Sequence, residues 1–249
     1  MPITFSNRLP DPNWTIDDTG AGHASSYTAG PGFASVKLDS IQPTAVSTTN
    51  SGRVTSRSIM AHKWKIDITY NPMTREQFEP VFNFLMEKRG RLKPFEVVLP
   101  QYSAPRTALT LPSGQTQLKV DHPAVGATPA GIKAGAPYFK ADNHSATTTG
   151  NMRPGDMFTF SDSNNSNHKK VYRVTRVTNN TNYLDGEQPA TDERYYYVTP
   201  SIEKAVADNA LLNTTNPVFR VMQSGDTVSY SLGTNNLYQF NLSLMEAQP

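Results

Sequence analysis

The chain has 249 residues, enough for one large domain or two smaller ones. Hydrophobic residues make up 37% and charged residues only 18%, so uncharged Thr, Ser, Asn and Gln must cover most of the surface, which suits β-structure and extended loops better than a helical bundle. A net charge of +2 gives no basic footprint for nucleic acid or lipid, the absence of cysteine removes disulfides, thiolate metal sites and a Cys nucleophile, and no stretch approaches the ~18 apolar residues of a membrane helix. Nineteen Pro and fifteen Gly leave little room for long helices. The N-terminus, MPITFSNRLPDPNW, has neither the basic start nor the apolar run of a signal peptide, so a soluble product made in the cytoplasm is expected.

Residues 1–57 are rich in Pro, Gly, Ser and Thr, with isolated Phe5, Trp14 and Phe33. They read either as an extended arm that gains order by packing on something else or as a flexible tail with two or three short strands. From Ser58 the pattern tightens, and Trp64, Ile66, Ile68 and Tyr70 alternate with polar neighbours as a half-buried strand does.

A helix is predicted next. Thr74 and Gln77 have capping-box spacing, and Met73 and Phe78 flank them as a hydrophobic staple. Phe78, Val81, Phe82, Leu85 and Met86 form one apolar stripe, Lys88 and Arg89 occupy the last turn, and Gly90 stands at C′. Pro80 either kinks the first turn or marks N1 of a helix that begins near Glu79. A strand, PFEVVLPQY, follows.

Between Ala104 and Arg194 short β-rich segments alternate with turns, as in a small barrel or sandwich. Val171, Tyr172, Val174 and Val177 belong to one such strand, and the polar SDSNNSN before it suits an exposed hairpin tip. The chain then returns through VFRVMQSGDTVSYSLG to a terminal strand over 237–246, whose polarity resembles that of 62–70, as is consistent with the two lying in one sheet. The fold class is therefore mainly β with one main helix (α+β). The domains are an arm over 1–57, a sheet domain over 58–103 plus 195–249, and an inserted β module over 104–194.

Residue types that carry chemistry are scattered. His23, His62, His122, His144 and His168 form no close metal-ligand pair. Asp17, Asp18 and the DSNNSN loop have calcium-ligand chemistry on paper, but Asp and Asn beside turns more often satisfy their own backbone. Asp67 with Glu246 is one of many carboxylate pairs without special spacing. No serine stands in a GxSxG elbow, and the Gly-rich stretches lack the strand and helix of a phosphate cradle. Tyr195, Tyr196 and Tyr197 read as a strand with alternate rings inward and the others at an interface, in preference to a sugar-stacking surface. No catalytic residue, metal or cofactor is expected.

The unit HKWKIDITYNPMTREQFEPVFNFLMEKRGRLKPFEVVLPQ resembles the signature of phage distal tail and tail-tube initiator proteins, through Trp64, Phe78, Phe82, Phe84, Leu85, Gly90, Phe95, Leu99 and Pro100. MRPGDMFTFSDSNNSNHKKVYRVT is similar to the inserted barrel of those proteins, and YYYVTPSIEKAVADNALL to the return into their sheet. The resemblance covers about 58–101 and 152–247. It implies a tail-tube-like split β-barrel, a ring of subunits, six by family, around a lumen, and no catalysis. The implied partners are further copies of the chain, the tail tube protein, baseplate or central hub and spike proteins, and the tape measure protein, without nucleic-acid recognition or membrane insertion. The residues expected to line contacts with neighbours are Trp64, Tyr70, Lys88, Arg89, Arg91, Tyr195 and Tyr197, with residues 1–57 and loop 161–169 reaching outward. The competing readings are a carbohydrate-binding module using Trp14, Trp64 and the tyrosine run, and a polysaccharide-degrading tail enzyme needing two exposed carboxylates.

Overall fold

The computed structural model describes residues 6–16, 30–121, 131–145, 150–179, 181–182 and 188–247. The chain first runs through β1 (Phe33–Ile41), β2 (Thr44–Thr48), β3 (Val54–Ser58), β4 (Lys63–Tyr70), the helix α1 (Arg75–Lys88) and β5 (Phe95–Val98). Then follow β6 (Leu118–Val120), β7 (Gly131–Ile132), β8 (Tyr138–Asp142), β9 (Met157–Ser161), β10 (Val171–Thr178), β11 (Arg194–Thr199), β12 (Val206–Ala207) and β13 (Leu211–Asn213). It ends with β14 (Val218–Gln223), β15 (Tyr230–Leu232) and β16 (Tyr238–Glu246). The expected class, mainly β with one main helix, is the one adopted. Two units result, 1–97 with 219–248, and 98–218.

The first unit is a curled sheet in the order β1-β4-β16-β14-β5, with β15 attached to β16. The predicted partnership of 62–70 with the terminal strand is direct: Ile66 pairs with Leu244 and Ile68 with Leu242, all four buried. Period-two alternation sends Trp64, Ile66, Ile68 and Tyr70 to the same face, and β16 answers with Phe240, Leu242 and Leu244. The fourth position in that row of β16 is a carboxylate. Beyond the last ladder pair, Lys65 with Met245, the Glu246 side chain accepts the Trp64 N–H at 3.0 Å, replacing a backbone partner.

The helix begins at Arg75, with Thr74 as N-cap and its N–H donated to the Gln77 side-chain oxygen at 3.3 Å. Pro80 lies inside, so the helix does not wait for it. The bond it deletes would have ended on Glu76, whose turn is exposed. The buried stripe is Phe78, Val81, Phe84, Leu85 and Lys88; Phe82 is half-buried and Met86 is 54% exposed, contrary to the apolar pattern. Arg89, the residue before the expected Gly90, takes the left-handed C-cap conformation and donates its N–H to Met86. That tightening orphans the Leu85 carbonyl, which the buried Gln223 amide of β14 caps at 3.0 Å.

The expected arm boundary at 57 crosses this unit. β1 pairs with β4 from Phe33–Tyr70 to Ile41–Lys63, and residues 7–9 lie along β5 through Leu9 N–H to the Glu96 carbonyl at 2.8 Å and Glu96 N–H to Asn7 at 2.7 Å. Leu9 is fully buried, and the Trp14 indole donates to Ser6 Oγ at 2.9 Å.

The second unit contains a closed barrel, β10-β11-β8-β6-β13-β9, whose strands pair antiparallel throughout. The boundary expected at 194 is corrected here. β11 and β13 were assigned to the sheet domain, but without them β8 would have no neighbour on one side and the ladder could not close. Leu118, Val120, Phe139, Phe158, Phe160, Tyr172, Val174, Tyr196, Val198 and Leu212 fill the interior. The β7-β12 pair is tight enough to require glycine: Gly131 has φ +130° and a Cβ there would lie 2.0 Å from the Val206 carbonyl oxygen.

Replacing Gln223 with Ala leaves the Leu85 carbonyl buried and unpaired. Urea unfolding is expected to show a loss of about 1–3 kcal/mol, the usual cost of an orphaned buried group.

Candidate interaction surface

Among the described residues no group of three or more His, Asp or Glu side chains converges as a metal site would require. Asp17, Asp18, His23 and His122 lie outside the described residues. The DSNNSN loop satisfies itself: Asp162 is buried, its Oδ1 accepting the Asn164 N–H at 2.8 Å and its Oδ2 the Ala207 N–H at 2.9 Å. The rest of the loop, Ser163 to Asn167, reaches solvent, with Asn165 half-buried. Asp67 and Glu246 also have structural partners, Ser243 and Lys65 for the first and Trp64 N–H for the second.

Two histidines are bolted to tyrosines in the barrel. His144 Nδ1 donates to the Asp192 carbonyl at 3.1 Å, which leaves Nε2 to accept the Tyr196 hydroxyl at 2.7 Å. His168 Nε2 meets Tyr172 Oη at 2.7 Å, and that oxygen accepts the Glu203 N–H at 3.0 Å. Burial, reinforced by Arg194, pushes His144 down to about 4, and burial with the charge of Lys204 does the same for His168. Both rings are therefore neutral near pH 7 and serve as fixed polar struts. Burial pushes Asp142 the other way, to about 6, helped by Asp121.

The sequence-selected contact residues fall into three groups. Trp64, Tyr70 and Lys88 are 2%, 4% and 4% exposed and are consumed by the unit's own fold. Trp64 stands edge-on to Phe219 at 6.4 Å, Tyr70 packs on Phe33 and Phe240, and the Lys88 ammonium lies 4.6 Å over the Phe84 ring and donates to the Ser6 carbonyl. Arg89 is exposed, whereas Arg91, also exposed, ties down its own loop through the Ser224 carbonyl and Asp226. Tyr195 and Tyr197 point outward from β11 while Tyr196 points in, as period two requires. Tyr138 from β8 packs across them at 5.9 and 5.2 Å, and the Arg176 guanidinium covers the Tyr197 ring at 3.8 Å. That cluster is a cross-strand stabilising set whose rings already face one another.

A conspicuous exposed surface lies in the segment read either as an extended arm or as a flexible tail with short strands. β2 and β3 form a hairpin, Thr44–Ser58 to Thr48–Val54, closed by Thr49 N–H to the Arg53 carbonyl and Gly52 at φ +78°. Every residue of both strands is exposed. The β1-β4 ladder ends at Ile41–Lys63 and the β2-β3 ladder begins three residues later, so one long ribbon runs on past the sheet. Its free half, 42–49, extends roughly 25 Å at 3.3 Å per residue. Val46, Val54, Ile59 and Met60 on it are 62%, 66%, 46% and 64% exposed. The sequence held a signal: Val46 and Thr48 mirror Val54 and Ser56 across an Asn-Ser-Gly turn.

The sheet's edges differ as well. Residues 7–9 cover the outer edge of β5, whereas β1 has β4 as its only strand neighbour among the described residues.

Acidification tests the histidine struts. A folded-state value near 4 against an ordinary 6.5 means that only the unfolded chain binds the proton between those limits. Stability contributed by the neutral rings is complete above pH 6.5 and falls as pH drops to 4, by roughly 3 kcal/mol per histidine. Asp142 opposes this in part. Thermal melts from pH 7 to 4 are expected to flatten in a His144→Gln, His168→Gln double variant.

The chain is similar in sequence to known proteins. A family model described as distal tail protein pb9, A domain, N-terminal, matches residues 21–102. Distal tail protein pb9 of Escherichia phage T5 is 25% identical over 246 residues, covering 96% of this chain and 99% of that protein.

Proposed function

We propose that this chain, a member of the bacteriophage distal tail protein family and so a component of the virion tail, forms an adaptor ring between the tail tube and the baseplate or tail tip. The observation that supports the reading is the long ribbon with its unpaired continuation. An isolated two-stranded hairpin is at best marginally stable in water, so β2-β3, exposed on both faces, calls for a protein surface to complete it. The edge of β1, which among the described residues has no strand partner beyond β4, adds a row of backbone donors and acceptors that natural proteins pair or cover. Identical neighbours arranged around a lumen answer both needs at once.

On this reading the subunit performs no chemistry. Six copies are the number implied by family. One face of the ring receives the tail tube protein, the other the baseplate or central hub and spike, and the tape measure protein passes through the lumen. The tube begins or ends on this ring.

Electron microscopy of the purified chain tests the proposal, with rings around a central hole as the expected result. A variant in which a short Gly-Ser turn replaces residues 44–58 should be monomeric, with an unchanged circular dichroism spectrum and a Tm within a few degrees. Wild-type protein that stays monomeric at high concentration, and whose antibody labels no tail at its distal end, would overturn the reading.

A further inference from the structure

The curled sheet has two margins, β1 and β5, and residues 6–9 are built onto the second. Arg8 bridges Glu96 in parallel, with the Leu9 N–H donated to the Glu96 carbonyl at 2.8 Å and the Glu96 N–H to the Asn7 carbonyl at 2.7 Å. The Leu9 side chain is buried, and the buried Lys88 ammonium of α1 reaches the Ser6 carbonyl at 3.2 Å. Backbone pairing, an apolar side chain and a cation thus hold this short stretch together.

Beyond Leu9 the pairing stops for a chemical reason. Pro10 and Pro12 carry no N–H, so the segment can neither extend the ladder nor present a regular strand of its own to another chain. It folds onto itself instead. Asp11 and Trp14 exchange backbone bonds at 2.8 and 2.9 Å, the Asp11 carboxylate takes the Asn13 N–H at 2.8 Å and the Arg8 guanidinium at 2.7 Å, and the Trp14 indole returns to Ser6.

The same turn also touches the chain just ahead of the opposite margin. A Cβ on Gly30, three residues before β1, would lie 2.7 Å from the Asp11 carbonyl oxygen, so glycine is what lets the two backbones meet.

A strand margin covered by a short, proline-ended, self-bonded segment has the features by which proteins block edge-to-edge pairing. We infer that the outer margin of β5 is a strand-accepting site for an extended segment bearing an aliphatic side chain. Residues 6–16 are its resident guard, and they keep that margin out of contact with other chains. The guard acts within one subunit and does not depend on the ring.

Leu9→Pro, made in the full-length protein, removes both the N–H given to Glu96 and the buried side chain. Exchange of the Glu96 amide with deuterium should speed up roughly tenfold or more, with the far-UV circular dichroism spectrum kept. A labelled synthetic peptide of residues 6–16 should bind this variant about tenfold more tightly than it binds wild type, and the same peptide carrying Leu9→Pro should not bind. Sedimentation should show the variant associating further than wild type, a gain that unlabelled peptide reverses. Gly30→Val, which pushes the Asp11 backbone away without touching the Glu96 bonds, should act in the same direction more weakly, and it carries the same readouts if Leu9→Pro does not fold. Unchanged exchange at Glu96, or faster exchange lacking either peptide binding or further association, would overturn the inference. Loss of the fold in both variants would do so too, because residues 6–16 would then be core and not a guard.

Discussion

Antiparallel pairing of β4 with β16 is the contact on which the first unit depends. It joins Thr69 to Asn241 and Lys65 to Met245, so the ends of the fold are clasped across the whole of the second unit's sequence. The entropic cost of closing so long a loop grows only logarithmically, and a self-contained barrel within the loop reduces it further. Once the clasp forms, rows of Ile and Leu face one side, β14 can lie against β16, and Gln223 comes within reach of the helix end. Loss of the clasp would deprive β14, β15 and the cap of their supports together.

Several buried polar groups in each unit are answered by the chain itself. Glu246 takes the place of a missing backbone acceptor, Asp162 holds two N–H groups, and two histidine rings fasten to two tyrosine hydroxyls. Against that background the exposed ribbon stands apart, as does β1, which among the described residues has β4 as its one strand partner. The ribbon carries Arg53 and Arg57, yet one of its faces still presents Val46 and Val54 to solvent. The contrast is what makes an intermolecular partner the physically economical reading.

Much of the fold was legible because periodicity is a local signal. The alternation through Trp64, Ile66, Ile68 and Tyr70, the capping residues Thr74 and Gln77, and the match of the two paired strands are all readable within short windows. The same signal misled about Lys88 and Met86. Lys88 was expected to line a contact with neighbours and Met86 to join the apolar stripe, yet Lys88 is buried within its own unit and Met86 is exposed. Barrel closure was less accessible, since whether β11 joins β8 or the outer sheet depends on long-range pairing that no window contains. Among the residues expected to line contacts, Trp64 and Tyr70 are core, and the exposed ribbon is built from Thr, Ser and Val in the segment read as an extended arm or as a flexible tail with short strands.

The barrel's circular hydrogen bonding has a consequence for life in a crowded assembly. Each of its six strands has a neighbour on both sides, so the ring of backbone bonds offers no terminus onto which a foreign strand can zip. Its turns are then free to change length and composition without inviting fibre growth. A module of that kind can diversify quickly on a particle whose remaining surfaces are held to a fixed geometry.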